Sequence, residues 1–220
     1  DYKVTGVQTC ALPISMISEL LDHNLAEAET AIAMALRRRP LTRALRLTLY
    51  HRMAILRHRQ QRFAESALIC QTLLTHDPSG DPDVRANLLL MLAEAKLLSR
   101  DLWGTYEALM QLHQTTLSLQ ETLQLLALQT RYEVICGHDQ HALQDVHRKV
   151  ELSELMPASQ CAAVHATLAS AAQRQQHSQL ANWLRRRAEL LAAPAQLSSW
   201  DPGWIAQTYS ATDDPSLDAA

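Results

Sequence analysis

The stretch Leu25–Pro40, LAEAETAIAMALRRRP, decides the fold that we expect for this chain. Its apolar positions recur at intervals of three, four and three residues: Leu25, Ala28, Ile32 and Ala35. This spacing places all four side chains on one face of a helix. Two of them are alanines, which allow a neighbouring helix to approach closely. The terminal proline cannot continue a helix, so the pattern predicts a helix that is followed by a turn.

The composition favours helices along the whole chain of 220 residues. Ala, Leu, Gln, Arg and Glu dominate, and the chain has five Gly and one Phe. The dominant residue types are good helix formers, which predicts an all-α protein. The net charge of −3 argues against a general polyanion binder. No apolar run approaches the roughly 18 residues of a membrane helix, and no signal peptide is evident, so we predict a cytoplasmic location without membrane contact.

The first fifteen residues differ from the rest of the chain. Val4–Ile14, VTGVQTCALPI, resembles the translation of a common sequencing-library adapter. We therefore predict that residues 1–15 are a non-native or disordered leader. Without the leader, three cysteines remain, and they have no regular spacing: Cys70, Cys136 and Cys161. This pattern predicts reduced thiols rather than a disulfide framework.

The helical pattern recurs in pairs of helices. Small residues occupy equivalent positions of the second helices, 38, 39, 37 and 39 residues apart: Ala28, Ser66, Thr105, Ala142 and Ala181. An alanine lies twelve residues before three of them: Ala54, Ala93 and Ala169. The recurrence predicts an α-solenoid of antiparallel helical hairpins with a period of about 38 residues. About four and a half hairpins are expected to fill residues 16–194. Residues 195–220 are expected to form a cap, which contains Trp200 and Trp204, and then a disordered tail.

These hairpins resemble the tetratricopeptide-repeat family over about Met16–Pro194. The period is longer than the family's 34 residues. The resemblance is carried by aromatic, apolar and small residues at repeated positions: Tyr50, Met53, Ala54, Phe63, Pro78, Leu92, Ala93, Leu102, Leu168, Ala169, Ala181 and Ala188.

In that family, the first helices of the hairpins line a concave groove that binds peptides. The resemblance therefore implies a groove that exposes polar side chains with apolar spots between them. The positions that it assigns to the groove are His51, Ile55, His58, Asn87, Leu90, Glu94, Gln124, Arg131, Ser170 and Arg174. The Lys and Asn positions with which one subgroup grips chaperone carboxylates hold His51, Ile55 and Met91 here, which argues against that role.

The chain has seventeen arginines against three lysines, a bias typical of a GC-rich genome, and we expect a bacterial one. Nine of the arginines lie between Arg37 and Arg62, and this stretch contains no carboxylate. Arginine forks suit carboxylates and phosphates, so Arg52, Arg57 and Arg59 are candidates for contact with an acidic peptide or protein. A solvated helix face is the alternative interpretation. No aromatic side chains interleave with the arginines, so nucleic acid is the less favoured partner.

Motifs for catalysis, cofactors or metals are not found in the sequence. It contains no Gly-rich phosphate loop, no Gly-x-Ser-x-Gly elbow and no His-Glu-x-x-His pair. Cys136, His138, His141 and His147 have metal-binding side chains, but their spacing does not suit a tetrahedral site. We therefore predict a non-enzymatic protein without a cofactor.

Three functions stay open at this point. The first is a scaffold or adaptor that binds a peptide or protein segment in the groove. The second is a sensor or regulatory repeat domain of a larger signalling or transcription protein, and the third is an accessory module of an enzyme complex. A DNA-binding or kinase domain preceding Met16 would favour the second.

Overall fold

The structure, a computed structural model, describes residues 14–37, 42–76, 82–193 and 195–197. All regular secondary structure within these residues is helical, which confirms the all-α class. The chain divides into two compact units, Asp1–Thr116 (unit 1) and Leu117–Ala220 (unit 2). Most of the leader and most of the proposed cap, including Trp200 and Trp204, lie outside the described residues.

Unit 1 contains six described helices that pack on one another in sequence. They are α1 (Ile14–His23), α2 (Leu25–Arg37), α3 (Arg43–Arg59), α4 (Phe63–His76), α5 (Pro82–Leu98) and α6 (Leu102–His113). Each helix packs against the next, and α1 also contacts α3. The side chain of Asn24 accepts a hydrogen bond from the Glu27 amide at 3.3 Å, so Asn24 caps α2 as its sequence position predicts.

Unit 2 contains five described helices grouped around α10. They are α7 (Leu119–Ile135), α8 (Asp139–Leu143), α9 (Val146–Ser153), α10 (Ala158–Arg174) and α11 (Ser178–Leu191). Helix α10 packs against each of the other four and supplies much of the apolar core. Leu197, at the start of the segment predicted to be a cap, is fully buried in this core.

The sequence predicts one helix over residues 140–155, and this prediction is wrong at residues 144 and 145. Gln144 (φ −59°, ψ 131°) leaves the helical conformation and ends α8, and Asp145, in the left-handed conformation with φ 53°, precedes α9. Asp tolerates this conformation better than most residues and is a poor helix former. Lys149 Nζ donates to the carbonyl of Ala142 at 2.8 Å, so it satisfies a carbonyl that the end of α8 leaves open.

The same turn follows four helices, each of which is the first of a pair: α3, α5, α7 and α10. One residue in each turn has a left-handed backbone: Gln61 (φ 60°), Arg100 (φ 64°), Gly137 (φ 78°) and Gln176 (φ 61°). Its amide donates to the carbonyl three residues back at 3.0–3.2 Å, and the next amide donates to the carbonyl five residues back at 2.8–2.9 Å. This pair of bonds defines a Schellman motif, which satisfies carbonyls at the end of a helix. Four loops of different sequence therefore have one geometry.

The small residues at equivalent positions of the second helices lie inside the fold. Four of them lie five residues after the left-handed residue of a turn, and all five are buried: Ala28, Ser66, Thr105, Ala142 and Ala181. The contact across one crossing is direct, because Ser66 Oγ donates to the carbonyl of Ala54 at 3.0 Å. Ala54, Ala93 and Ala169 are fully buried. Small side chains on both helices thus allow the two backbones to approach closely.

The shared turn predicts opposite effects for two substitutions. Gln176→Gly is expected to raise the free energy of unfolding by about 0.5–1 kcal/mol, because glycine adopts positive φ without steric cost. Gly137→Ala is expected to lower it by a similar amount through backbone strain alone, since a Cβ at Gly137 would meet no atom within 4 Å. Urea unfolding of both variants tests this, and changes of the same sign would contradict the assignment.

Candidate interaction surface

The positions assigned to the groove in unit 1 lie on two helices. His51, Ile55 and His58 are spaced by four and three residues and therefore share one face of α3. Asn87 and Glu94 are seven residues apart and share a face of α5. His58 Nε2 lies 3.4 Å from Glu94 Oε2, which brings the two faces together. The side chains of α3 and α5 thus form one surface, called here the α3–α5 face.

One assigned position does not belong to the exposed part of this surface. Leu90 was predicted to be an exposed apolar anchor, but the structure buries it with 7% exposure. Helix α5 packs against both α4 and α6, and it contains the continuous apolar run Leu88–Leu90. A helix that is covered on two sides buries most of such a run. Ile55, which is half-buried, is the apolar side chain that the α3–α5 face retains among the assigned positions.

The histidines of the α3–α5 face have different surroundings. Burial lowers the pKa of His51, and the neighbouring Arg52 guanidinium lowers it further, so the His51 ring is neutral at pH 7. The His58 ring packs edge-on against Phe63 with ring centres 5.4 Å apart. His58 Nε2 is close to Glu94 but does not meet hydrogen-bond geometry. This nitrogen is buried and has no hydrogen-bond partner among the described residues.

The positions assigned to the groove in unit 2 lie on α7 and α10, which pack against each other. Gln124, Arg131 and Ser170 are half-buried. Arg174 has intramolecular partners: its Nε donates to Asp139 Oδ2 at 2.8 Å, and its Nη2 donates to Asp139 Oδ1 and to the Val134 carbonyl. The Asp139 side chain is buried. Arg174 therefore ties α10 to α7 and α8 within the fold.

Two of the three arginines expected to contact an acidic partner, Arg52, Arg57 and Arg59, have carboxylate partners inside unit 1. Arg57 Nη1 lies 2.8 Å from Glu29 Oε1, and Arg57 Nε lies 3.3 Å from Glu65 Oε2, so Arg57 links α3 to α2 and α4. Arg59 Nη1 lies 2.6 Å from Asp22 Oδ1 and also donates to a carbonyl of α1. Arg52 is half-buried and forms no ion pair with a described residue. The carboxylates that neutralise this basic stretch lie outside it in sequence.

Sequence reasoning missed an exposed apolar stripe on α6. Trp103, Tyr106 and Met110 are spaced by three and four residues and are exposed, with Trp103 at 71%. The two aromatic rings lie 5.9 Å apart, and Trp103 Nε1 donates to Glu107 Oε1 at 3.0 Å. The spacing is visible in the sequence, but which face of α6 is covered depends on its packing against α5.

The residue types typical of metal sites do not converge. Within the described part of the chain, no three His, Cys, Asp or Glu side chains are placed to hold a metal ion. His141 Nδ1 lies 3.4 Å from Glu133 Oε1, whereas the His147 ring packs near Trp183. Burial raises the pKa of Cys70 to about 12, so this thiol stays protonated and unreactive. No helix in the described ranges combines the length and apolar character that crossing a membrane requires.

Comparison with known proteins identifies no relative: no protein-family model, no curated protein and no solved structure matches the chain.

Proposed function

We propose that this protein is a non-enzymatic interaction scaffold, built from tetratricopeptide-like helical hairpins, that binds a peptide or protein segment along its first helices. The observation that carries the proposal is the recurrence of one hairpin geometry. Four turns share the same pair of backbone hydrogen bonds, and in each of these turns a buried small residue follows the left-handed residue at the same distance. Repeated hairpins of this kind present an extended row of parallel helices, which suits an extended ligand.

The α3–α5 face is the proposed binding surface. First helices contact one another within each unit: α1 packs on α3, α7 packs on α10, and His58 of α3 meets Glu94 of α5. The face offers imidazole, amide and carboxylate groups for hydrogen bonds and one apolar side chain, Ile55. This combination suits a peptide whose backbone is bound by polar groups and whose apolar side chain is bound near Ile55.

The favoured ligand is an acidic segment. Arg52 adjoins His51 on α3 and, unlike Arg57 and Arg59, it has no carboxylate partner among the described residues. A ligand carboxylate would supply that partner through a charge-assisted hydrogen bond. Such binding weakens as salt rises, because exposed charges are screened over about 8–10 Å at physiological ionic strength.

A peptide array tests the proposal. We expect the protein to capture acidic peptides that carry an apolar residue, more strongly at low salt than at high salt. Arg52→Gln is expected to weaken the best peptide about tenfold, equivalent to about 1.4 kcal/mol, by calorimetry. Arg57 and Arg59 are left unchanged because they hold helices of unit 1 together.

Arg37→Gln is the matched control, since it removes the same charge from an exposed position at the end of a second helix. It is expected to leave the affinity unchanged, and circular dichroism verifies that both variants fold. Equal losses in the two variants would show that net charge, rather than the α3–α5 face, determines capture. Failure to capture any peptide would contradict the proposed function.

A further inference from the structure

Unit 2 contains a buried polar cluster that the proposed function does not use. His165 of α10 and Ser153 at the end of α9 are fully buried, and Cys161 is nearly so. Ser153 Oγ lies 3.1 Å from His165 Nε2 and 3.6 Å from Cys161 Sγ, and Cys161 Sγ lies 3.7 Å from His165 Nε2. We call these three residues the α9–α10 cluster. Its polar contacts join the two helices within an otherwise apolar core.

The hydrogen bonds of the α9–α10 cluster determine the tautomer of His165. Ser153 Oγ donates its one proton to the Val150 carbonyl at 2.7 Å, so this oxygen can only accept from His165. His165 Nε2 must therefore carry the ring proton, and Nδ1 is left as the unprotonated nitrogen. Nδ1 is buried and has no hydrogen-bond partner among the described residues.

Acid would have to protonate this Nδ1. The new N–H would be buried without an acceptor, and the positive charge would lie in an apolar core, which is unfavourable. Burial accordingly lowers the pKa of His165 to about 4, with a further lowering by Arg187 and a small opposing effect of Glu154. The free energy of folding must then depend on pH, because the imidazole of the unfolded chain binds a proton near pH 6.5.

The charged groups around α10 do not offer His165 a compensating anion. Arg187 of α11 lowers the pKa of His165, and Glu154, which follows α9, raises it. These two side chains form an ion pair with each other. The carboxylates of the other packed helices have partners of their own: Glu121 with Ser118, Glu133 with Gln129 and Lys149, and Asp139 with Arg174. Asp139 and its partner Arg174 lie at the far end of α10, nine residues beyond His165.

We propose that the α9–α10 cluster is an acid-sensitive lock, in which protonation of His165 releases α9 from α10. The direction of the pH dependence follows from the protonation of His165 in the folded and in the unfolded chain. Above about pH 6.5 the ring is neutral whether the chain is folded or unfolded, and the hydrogen bond between Ser153 and His165 is intact. Between about pH 6.5 and pH 4 the unfolded or opened form binds a proton that the closed form does not, so stability falls as the pH falls.

NMR of the unmodified chain is the first test. Its ring nitrogens should show His165 in the Nε2–H tautomer and still neutral at about pH 5. After correction for intrinsic rates, the amides of α9 should exchange about thirtyfold faster at about pH 5 than at about pH 7.5. A His165 ring that is already charged at about pH 5, or unchanged relative protection of α9, would overturn the proposal.

Two histidine variants distinguish the effect of His165 protonation from general unfolding by acid. His165→Leu removes the titrating ring at similar volume, and it is expected to abolish the roughly thirtyfold fall of the folding constant between about pH 7.5 and pH 5. His177→Gln, at an exposed histidine of the same unit, is expected to retain that fall. Equal pH dependence in the two variants would overturn the proposal. Should His165→Leu fail to fold, the NMR experiment decides alone.

Discussion

Ala181→Arg is expected to lower the free energy of unfolding by more than about 2 kcal/mol, the range typical of core disruption. Ala181 is buried on α11, which packs against α10, and it follows the fully buried Ala169 of α10 by twelve residues. The guanidinium would have to enter a space that fits a methyl group, and it would lose its hydration there. Thermal or urea unfolding measures the loss.

Gln179→Arg is the matched control for this substitution. Gln179 lies two residues away on the same helix and is exposed, so an arginine there adds the same charge without entering the crossing. Its melting temperature should stay within a few degrees of the unmodified protein. Equal melting temperatures of the two variants would show that Ala181 does not lie at the helix crossing.

The second large effect is expected at Arg174. Arg174→Leu would leave the buried Asp139 carboxylate without its cationic partner and the Val134 carbonyl without its donor. Breaking a buried ion pair is strongly destabilising, but half of the Arg174 side chain is exposed, and water would partly replace it. We therefore expect a loss of roughly 2–3 kcal/mol by urea unfolding.

A double-mutant cycle separates this pair from the apolar contacts of the arginine. Asp139→Asn combined with Arg174→Leu should cost clearly less than the sum of the two single substitutions, because no charge then remains buried. Arg186→Leu, at an exposed arginine of α11, is expected to change stability by no more than about 0.5 kcal/mol. Strictly additive losses at Asp139 and Arg174 would contradict the coupling.

Much of the helix arrangement could be predicted because local sequence determines it. The apolar spacing of α2, the capping Asn24 and the glycine after α7 are signals that act within a few residues. The break at Asp145 was missed because aspartate is compatible with a helix surface as well as with a left-handed turn. Only the packing of α8 and α9 on α10 distinguishes a continuous helix from a left-handed turn at this position.

The candidate site was less predictable because side-chain partners are distant in sequence. Arg57 meets Glu29 across 28 residues, and Arg174 meets Asp139 across 35, so charge patterning could not reveal either pair. The spacing of Cys161 and His165 by four residues is visible in the sequence, but the approach of Ser153 across a turn is not. The groove positions themselves came from the family resemblance.

Hydrogen exchange of the protein with a captured acidic peptide is the most direct test of the proposed scaffold function. The peptide is expected to slow exchange on α3 around His51–His58 and on α5 around Asn87–Glu94, while the exchange of α4 and α6 is unchanged. Slower exchange confined to the second helices, for example around Trp103–Met110 of the exposed stripe, would contradict binding at the α3–α5 face.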